Sequence, residues 1–384
     1  MYPMQNRDSK IRHAIFRVAV IAVVVFILIA CEPVGATSVA KTEEAVEIAT
    51  ILETPLVDTI EPTQIAPSTP PALPSPYRSS TLNPLDTPRT YLQDTCQYLR
   101  SRWHPANAQP GTVVMIIMLH GIYRGPVEEL GGITLLELKR MMDRIHDQNF
   151  EAITTEKFLA FMERNVKIPP RSVLIIQDDR HRAENFDKNF RDYWENWGWP
   201  IVNGWPSQPD TPESLWQENI ALEKEGWVDH QAQGVMIGTY LTDESSKAVI
   251  TRELEGSIEA FAERYAKVPL AFIWPGGGFG LRTVEAARQL GYQLGFTWNS
   301  RGPVMYNWVP LADDFDPERP SYIPEGQIGD PLMTLPRYWP NQVAGALDQV
   351  RIMGREAGEY AQTNKAIELK YYEIVCEPSL GPMP

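Results

Sequence analysis

The chain has 384 residues, 43% of them apolar and 22% charged, enough for one large domain with appendages or for two domains. Its formal net charge of −14 excludes nucleic acid as a favourable partner and argues against a polyanionic substrate. Eleven tryptophans are many for this length, a feature shared by carbohydrate-binding surfaces and by packed cores.

Arg7, Lys10, Arg12 and Arg17 precede an unbroken apolar run over residues 18–30. That run is short for a membrane span and suits the core of an export signal. It ends in Leu28-Ile29-Ala30-Cys31, which resembles a bacterial lipobox. In that reading residues 1–30 are removed and Cys31 carries lipid; the alternative is an uncut signal anchor. Either way the rest of the chain is expected outside the cytoplasm and tethered to a membrane, on the outer face of the cytoplasmic membrane or at the cell surface. Residues 31–90, rich in Pro, Thr and Ser, are expected to be an extended, disordered linker that cannot build a core.

With Cys31 lipidated, Cys96 and Cys376 remain, one near each end of the expected domain at 91–384. Domain termini often lie close together, and the outside compartment is oxidising, so a Cys96–Cys376 disulfide is expected. It would close a loop of roughly 280 residues, worth at most on the order of 5 kcal/mol by chain entropy.

From residue 91 onward, strands alternate with helices. Residues 113–119 read as a buried strand ending at His120. Thr134 is placed to cap a helix whose Leu135, Leu138, Met141, Met142 and Ile145 recur at helical spacing. A short helix is expected at 155–163. A buried strand at 173–176 ends in Asp178-Asp179, two carboxylates whose adjacency costs free energy unless a cation, a shared proton or a substrate relieves it. A tryptophan-rich insertion at 193–205 follows, with Trp194, Trp197, Trp199 and Trp205 expected to pack within it. Helices are then expected at 213–224, 246–265 and 282–290, and strands at 227–231, 270–273 and 294–297. The alternation implies a mostly parallel sheet, and the number of units a barrel, with chemistry at the carboxyl ends of its strands. A helix at 342–360 has no assigned role.

Four segments in this order carry a family resemblance: V-V-M-I-I-M-L-H-G-I from Val113, P-P-R-S-V-L-I-I-Q-D-D-R from Pro169, S-L-W-Q-E-N-I-A-L-E-K-E-G-W-V-D-H-Q-A-Q from Ser214, and F-I-W-P-G-G-G-F-G with L-G-F-T-W-N between Phe272 and Asn299. Together they resemble the polysaccharide deacetylases (the NodB-homology family), in the branch that includes biofilm poly-N-acetylglucosamine deacetylases. The resemblance spans about 112–340 and implies a distorted (β/α)₇ barrel that removes acetyl groups from an N-acetylglucosamine-type polysaccharide. In this family an Asp and two His hold a divalent metal, usually Zn²⁺, while a second Asp and a further His act as base and acid. By position Asp178 is the base, Asp179 the metal ligand and His120 the acid.

The chain departs from the family where the metal should be held. The two imidazoles of H-x-x-x-H are replaced by Gln233 and Ile237, a poor ligand and a non-ligand. The Gly after the Asp pair is Arg180, a cation expected to pair with Asp178 or Asp179 and a candidate substrate-binding residue. His181 and His230 are the nearby imidazoles from which a shifted site could be built. Asp229 is expected to make a structural hydrogen bond. Trp274 and Pro275, in the turn that lines the family's sugar groove, and Trp298 are candidates for stacking on a sugar. Two functions remain open: a deacetylase with an altered site, in which zinc is weakly held or missing, and a non-catalytic glycan-binding or scaffolding protein. A metal-free hydrolase using Asp178 and His120 is a third.

Overall fold

The computed structural model describes residues 69–319 and 321–384. The expected signal, the Cys31 lipidation site and the linker up to residue 68 lie outside the described residues. Among the described residues no helix is long and apolar enough to cross a membrane.

In chain order the strands are β1 (Asp86–Arg89), β2 (Val113–Leu119), β3 (Ile122–Tyr123), β4 (Ile133–Thr134), β5 (Glu151–Ala152), β6 (Arg171–Asp178), β7 (Ile201–Trp205), β8 (Val228–Ala232), β9 (Ala271–Ile273), β10 (Leu294–Phe296) and β11 (Val309–Ala312). The helices are α1 (Thr95–Trp103), α2 (Leu135–Asp147), α3 (Thr155–Arg164), α4 (Ala183–Asn189), α5 (Arg191–Trp197), α6 (Glu213–Glu225), α7 (Lys247–Arg264), α8 (Leu281–Gln289), α9 (Pro340–Tyr371) and α10 (Glu377–Leu380).

Seven strands form one parallel sheet in the order β10-β9-β8-β7-β6-β2, with β5 beside the start of β6. β2 and β6 are buried along their whole length, which is why they read as continuous apolar runs rather than alternating ones. Alternate residues serve different layers. Val114, Ile116, Leu174, Ile176, Val202, Ile273 and Phe296 fill the concave interior. Met115, Ile117, Val173 and Ile175 pack outward on Leu138 and Met142 of α2 and on Leu347 and Val350 of α9. Phe272 meets Leu254 and Phe261 of α7 and Val284 of α8. Each such fully buried side chain contributes roughly 1.5–3 kcal/mol relative to exposure.

The sheet edges β10 and β2 do not pair with each other. The extended segment around 335–338 bridges them: Leu335 pairs with Phe296 and Tyr338 with Ile117, both in parallel sense. Tyr338 N–H donates to the Ile116 carbonyl at 2.7 Å, and Leu335 N–H to the Gly295 carbonyl at 2.8 Å. The curled sheet is thereby closed by two residues a short step apart, with Arg337 between them. The alternation implies a barrel of mostly parallel strands, and the distorted form is the one that the motif resemblance implies.

Thr134 caps α2 through Glu137 N–H, and the Glu137 carboxylate answers to Thr134 N–H, completing a capping box. β7 was expected as part of an insertion. Asn203 and Gly204 interrupt its apolar pattern, yet the strand is buried throughout. Trp205 and Trp199 are buried in the core, whereas Trp194 and Trp197 pack at its margin. α9 extends eleven residues beyond the expected helix end at 360 and supplies the outer layer over β2.

The linker boundary needs correction. Residues 77–89, expected to be disordered, are packed on the barrel. Trp308 Nε1–H donates to the Tyr77 carbonyl at 2.7 Å, Tyr77 Oη–H donates to Glu356 at 2.7 Å, and β1 pairs antiparallel with β11. Asp86 is fully buried and binds Arg319 at 2.7 Å, with Arg301 at 3.7 Å. A Pro- and Ser-rich composition hid one buried carboxylate and one anchoring aromatic. Further along, Cys96 on α1 is bonded to Cys376 after α9, with Cα atoms 5.3 Å apart. Leu99 and Tyr372 are buried beside the bridge.

Candidate functional site

The carboxyl ends of β2, β6, β7 and β8 converge with the closing segment on one cluster. β6 delivers Asp178, which is 2% exposed. Asn203, at the matching level of β7, donates from Nδ2 to the Gln177 carbonyl at 2.8 Å and to the Asp179 carbonyl at 3.0 Å. Those bonds hold the chain as it leaves the strand. Asp179 follows in the left-handed region at φ +73°, which Asp tolerates better than most side chains.

Gln233, just past β8, fixes Asp179 from the other side. Its Oε1 accepts from Asp179 N–H at 2.8 Å. A backbone N–H can only donate, so the oxygen must face it, and the amide orientation is set by chemistry. Nε2 is left 3.5 Å from Asp179 Oδ1. Burial, reinforced by the neighbouring Asp178 carboxylate, pushes the Asp179 carboxyl up to about 6, with His120 and Arg337 acting in the opposite direction.

Asp178 is partnered. Arg337 Nη1 lies 2.6 Å from Asp178 Oδ1, and Arg337 Nε–H donates to the Thr297 carbonyl at 2.6 Å. Arg337 is 1% exposed. His120, following β2, brings Nε2 to 3.6 Å from Asp178 Oδ2, beyond hydrogen-bond distance but adjacent. Its ring lies nearly parallel to Trp339 at 6.0 Å. Gly131 passes so close that a Cβ there would stand 2.6 Å from His120 Nδ1, and its φ of +80° also calls for glycine.

Arg180 does not serve as the cation of the Asp pair. It donates to Thr211 Oγ1 at 2.6 Å and lies 3.6 Å from Asp210. After the left turn at Asp179 the chain carries residue 180 toward the loop preceding α6. The sequence reading missed Arg337, which occupies that role from 159 residues further along. A lone arginine within L-P-R-Y-W was the available signal.

Trp274 and Pro275 also need correction. Trp274 is fully buried and donates from Nε1 to the Met333 carbonyl at 2.8 Å, and Pro275 is buried as well, so neither presents a face to a sugar. Trp298 is half-buried at the rim. Ile237 is 51% exposed on the loop after β8. His181 Nε2 lies 2.8 Å from the Asp178 carbonyl, and burial lowers its pKa. His230 is fully buried, with Nδ1 2.8 Å from Glu223 and Nε2 2.9 Å from Asn219. Both imidazoles are thus engaged with other groups. Asp229 accepts from Gln231 at 2.9 Å and from Lys267 at 2.8 Å, a structural arrangement.

These residues do not fit a zinc ion. Zn²⁺ needs three or four anionic or imidazole donors. Here one carboxylate is held by a guanidinium, the other faces an amide NH₂, and Ile237, the position that the motif resemblance aligns with the second imidazole, is an exposed hydrocarbon. Among the described residues no group of three or more His, Cys, Asp and Glu is arranged to hold a metal ion. A cavity of about 220 Å³ at the other end of the barrel, lined by Tyr77, Tyr98 and Tyr306, is separate from this cluster.

No family model matches the chain, and no curated protein does. Among solved structures it is similar to the deacetylase PplD of Streptococcus pyogenes, in complex with acetate, at 16% identity and TM-score 0.49, covering 63% of this chain and 99% of that one. It is also similar to IcaB from Ammonifex degensii, at 14% and 0.48 over 63% and 98% of the two chains. The deacetylase domain of BpsB from Bordetella bronchiseptica is similar at 14% and 0.42 over 59% and 95%.

Proposed function

We propose that this chain is an exported, lipid-anchored glycan-binding protein on a deacetylase-like barrel. It engages an N-acetylglucosamine-type polysaccharide at the Asp178–Asp179 rim and does not hydrolyse it by zinc chemistry. The four sequence motifs support the glycan, and the export signal supports the location. The orientation of Gln233 carries the loss of metal chemistry. With its oxygen committed to Asp179 N–H, the amide turns hydrogens toward the carboxylate where the family aims imidazole lone pairs, and hydrogens repel a cation.

A hydrolytic reading is favoured by one observation, the survival of His120 beside Asp178 as a possible acid–base pair. Without a metal, the oxyanion formed at the amide would need a donor from the protein. Chitin oligosaccharides incubated with the purified protein separate the two readings. Binding without acetate release is the expected result. Acetate release abolished by Asp178→Asn would establish hydrolysis instead.

A further inference from the structure

The cavity of about 220 Å³ at the amino end of the barrel is walled by segments far apart in sequence, and much of its wall is aromatic. Tyr98 of α1 stacks on Tyr306 at 5.8 Å, and Phe161 of α3 lies 6.4 Å from Tyr306. Tyr77 lies 6.2 Å from Trp308 and 5.7 Å from Tyr360 of α9. The extended segment 73–77 forms one side of the cavity and is bonded down over it. Tyr360 Oη–H donates to the Ser75 carbonyl at 2.8 Å, and Trp308 Nε1–H to the Tyr77 carbonyl at 2.7 Å. The space persists with that segment in place.

The polar groups of the wall restrict what can enter. Among the described residues, Arg102 and Glu368 are its two charged ones. Arg102 Nε lies 3.0 Å from the Glu368 carboxylate, Arg102 Nη1–H donates to Tyr98 Oη at 2.8 Å, and Trp103 Nε1–H donates to Glu368 at 2.6 Å. The two charges offset each other, so a charged guest would lose its water and find no counter-ion. Tyr306 is different. It is 8% exposed, and among the described residues its hydroxyl has no hydrogen-bond partner. A buried hydroxyl left unbonded is costly, and a polar atom on a guest would relieve it.

We propose that this cavity is a binding site for a small, uncharged aromatic molecule that carries one hydrogen-bonding group, of the kind of indole or a phenol. Flat apolar faces suit walls made of rings. A dry cavity of about 150 Å³ accommodates benzene, so this one has room for a substituted or bicyclic ring. The site lies apart from the Asp178–Asp179 cluster and is independent of the glycan-binding reading.

The test is calorimetry of the full chain with indole, phenol, benzene and benzoate. Indole is expected to bind one-to-one. Phenol should bind roughly 2- to 10-fold more tightly than benzene, the range of a single hydrogen bond, and benzoate more weakly than either. Tyr306→Phe keeps the ring and removes the hydroxyl, so it should still bind benzene and lose the preference for phenol. Ala357→Met lengthens a buried side chain of α9 in the cavity wall and should abolish binding of all four, with circular dichroism showing that the chain stays folded. The Tyr306→Phe comparison decides the matter even where Ala357→Met fails to fold. No saturable indole binding, a preference for phenol untouched by Tyr306→Phe, or benzoate bound as tightly as phenol overturns the assignment.

Discussion

Arg337 Nη1 stands 2.6 Å from Asp178 Oδ1, and both side chains are 2% exposed. The pair joins the segment that closes the barrel to the strand that carries the candidate site. Removing one partner of a buried ion pair strands the other, at a cost of about 3–5 kcal/mol. Arg337→Met is therefore expected to lower the urea midpoint by that equivalent. Asp178→Asn in the same chain should recover part of the loss, because no unpaired charge then remains. Equal and additive losses in the two single variants would show that the groups do not interact.

Asp179 gives a pH signature. Its folded carboxyl titrates near 6, above the ordinary carboxylate value, so the folded state keeps a proton that the unfolded chain has lost over that interval. The contribution of this group to stability therefore declines as pH rises from about 4 to 6, and levels off above. Asp179→Asn abolishes the penalty. The variant should gain on the wild type across that window and be more stable above pH 6 by on the order of 2 kcal/mol. Thermal unfolding at a series of pH values reads it directly.

Asp86 tests whether the N-terminal segment belongs to the fold. It is fully buried against Arg319 and close to Arg301, itself 1% exposed at the side chain. Asp86→Ala should cost about 3–5 kcal/mol, because it leaves buried guanidinium charge short of a carboxylate. A solvated linker residue would change stability by less than about 0.5 kcal/mol. Denaturant unfolding of the variant distinguishes the two.

The Cys96–Cys376 bridge spans 280 positions of sequence and ties α1 to the segment that follows α9. Cys96→Ser with Cys376→Ser is expected to lower stability by about 2–5 kcal/mol. Unfolding of the oxidised protein with and without reductant should reproduce the same difference.

The parts of the fold that could be read in sequence are those where one physical signal dominates. Continuous apolar runs placed β2 and β6, and helical spacing with a capping threonine placed α2. The convergence of His120, Asp178, Asp179 and Gln233 followed from motif order. What escaped was set by distant contacts. β7 carries Asn203, which looks like a turn residue until its bonds to Gln177 and Asp179 are seen. Arg180 has the right charge beside the Asp pair, but the left-handed turn at Asp179 sends it away, and Arg337 arrives through barrel closure. The tryptophan before three glycines suggested a sugar platform. It is instead buried and anchors the strand end through the Met333 carbonyl.

The central claim is that the Gln233 amide turns its NH₂ group, not a lone pair, toward Asp179, so that these residues hold no zinc; zinc content tests it most directly. The purified full chain, equilibrated with Zn²⁺ and then dialysed against a weak chelator, should retain far less than one zinc per chain. One zinc per chain, retained by the wild type and lost in Asp179→Ala, would contradict the account.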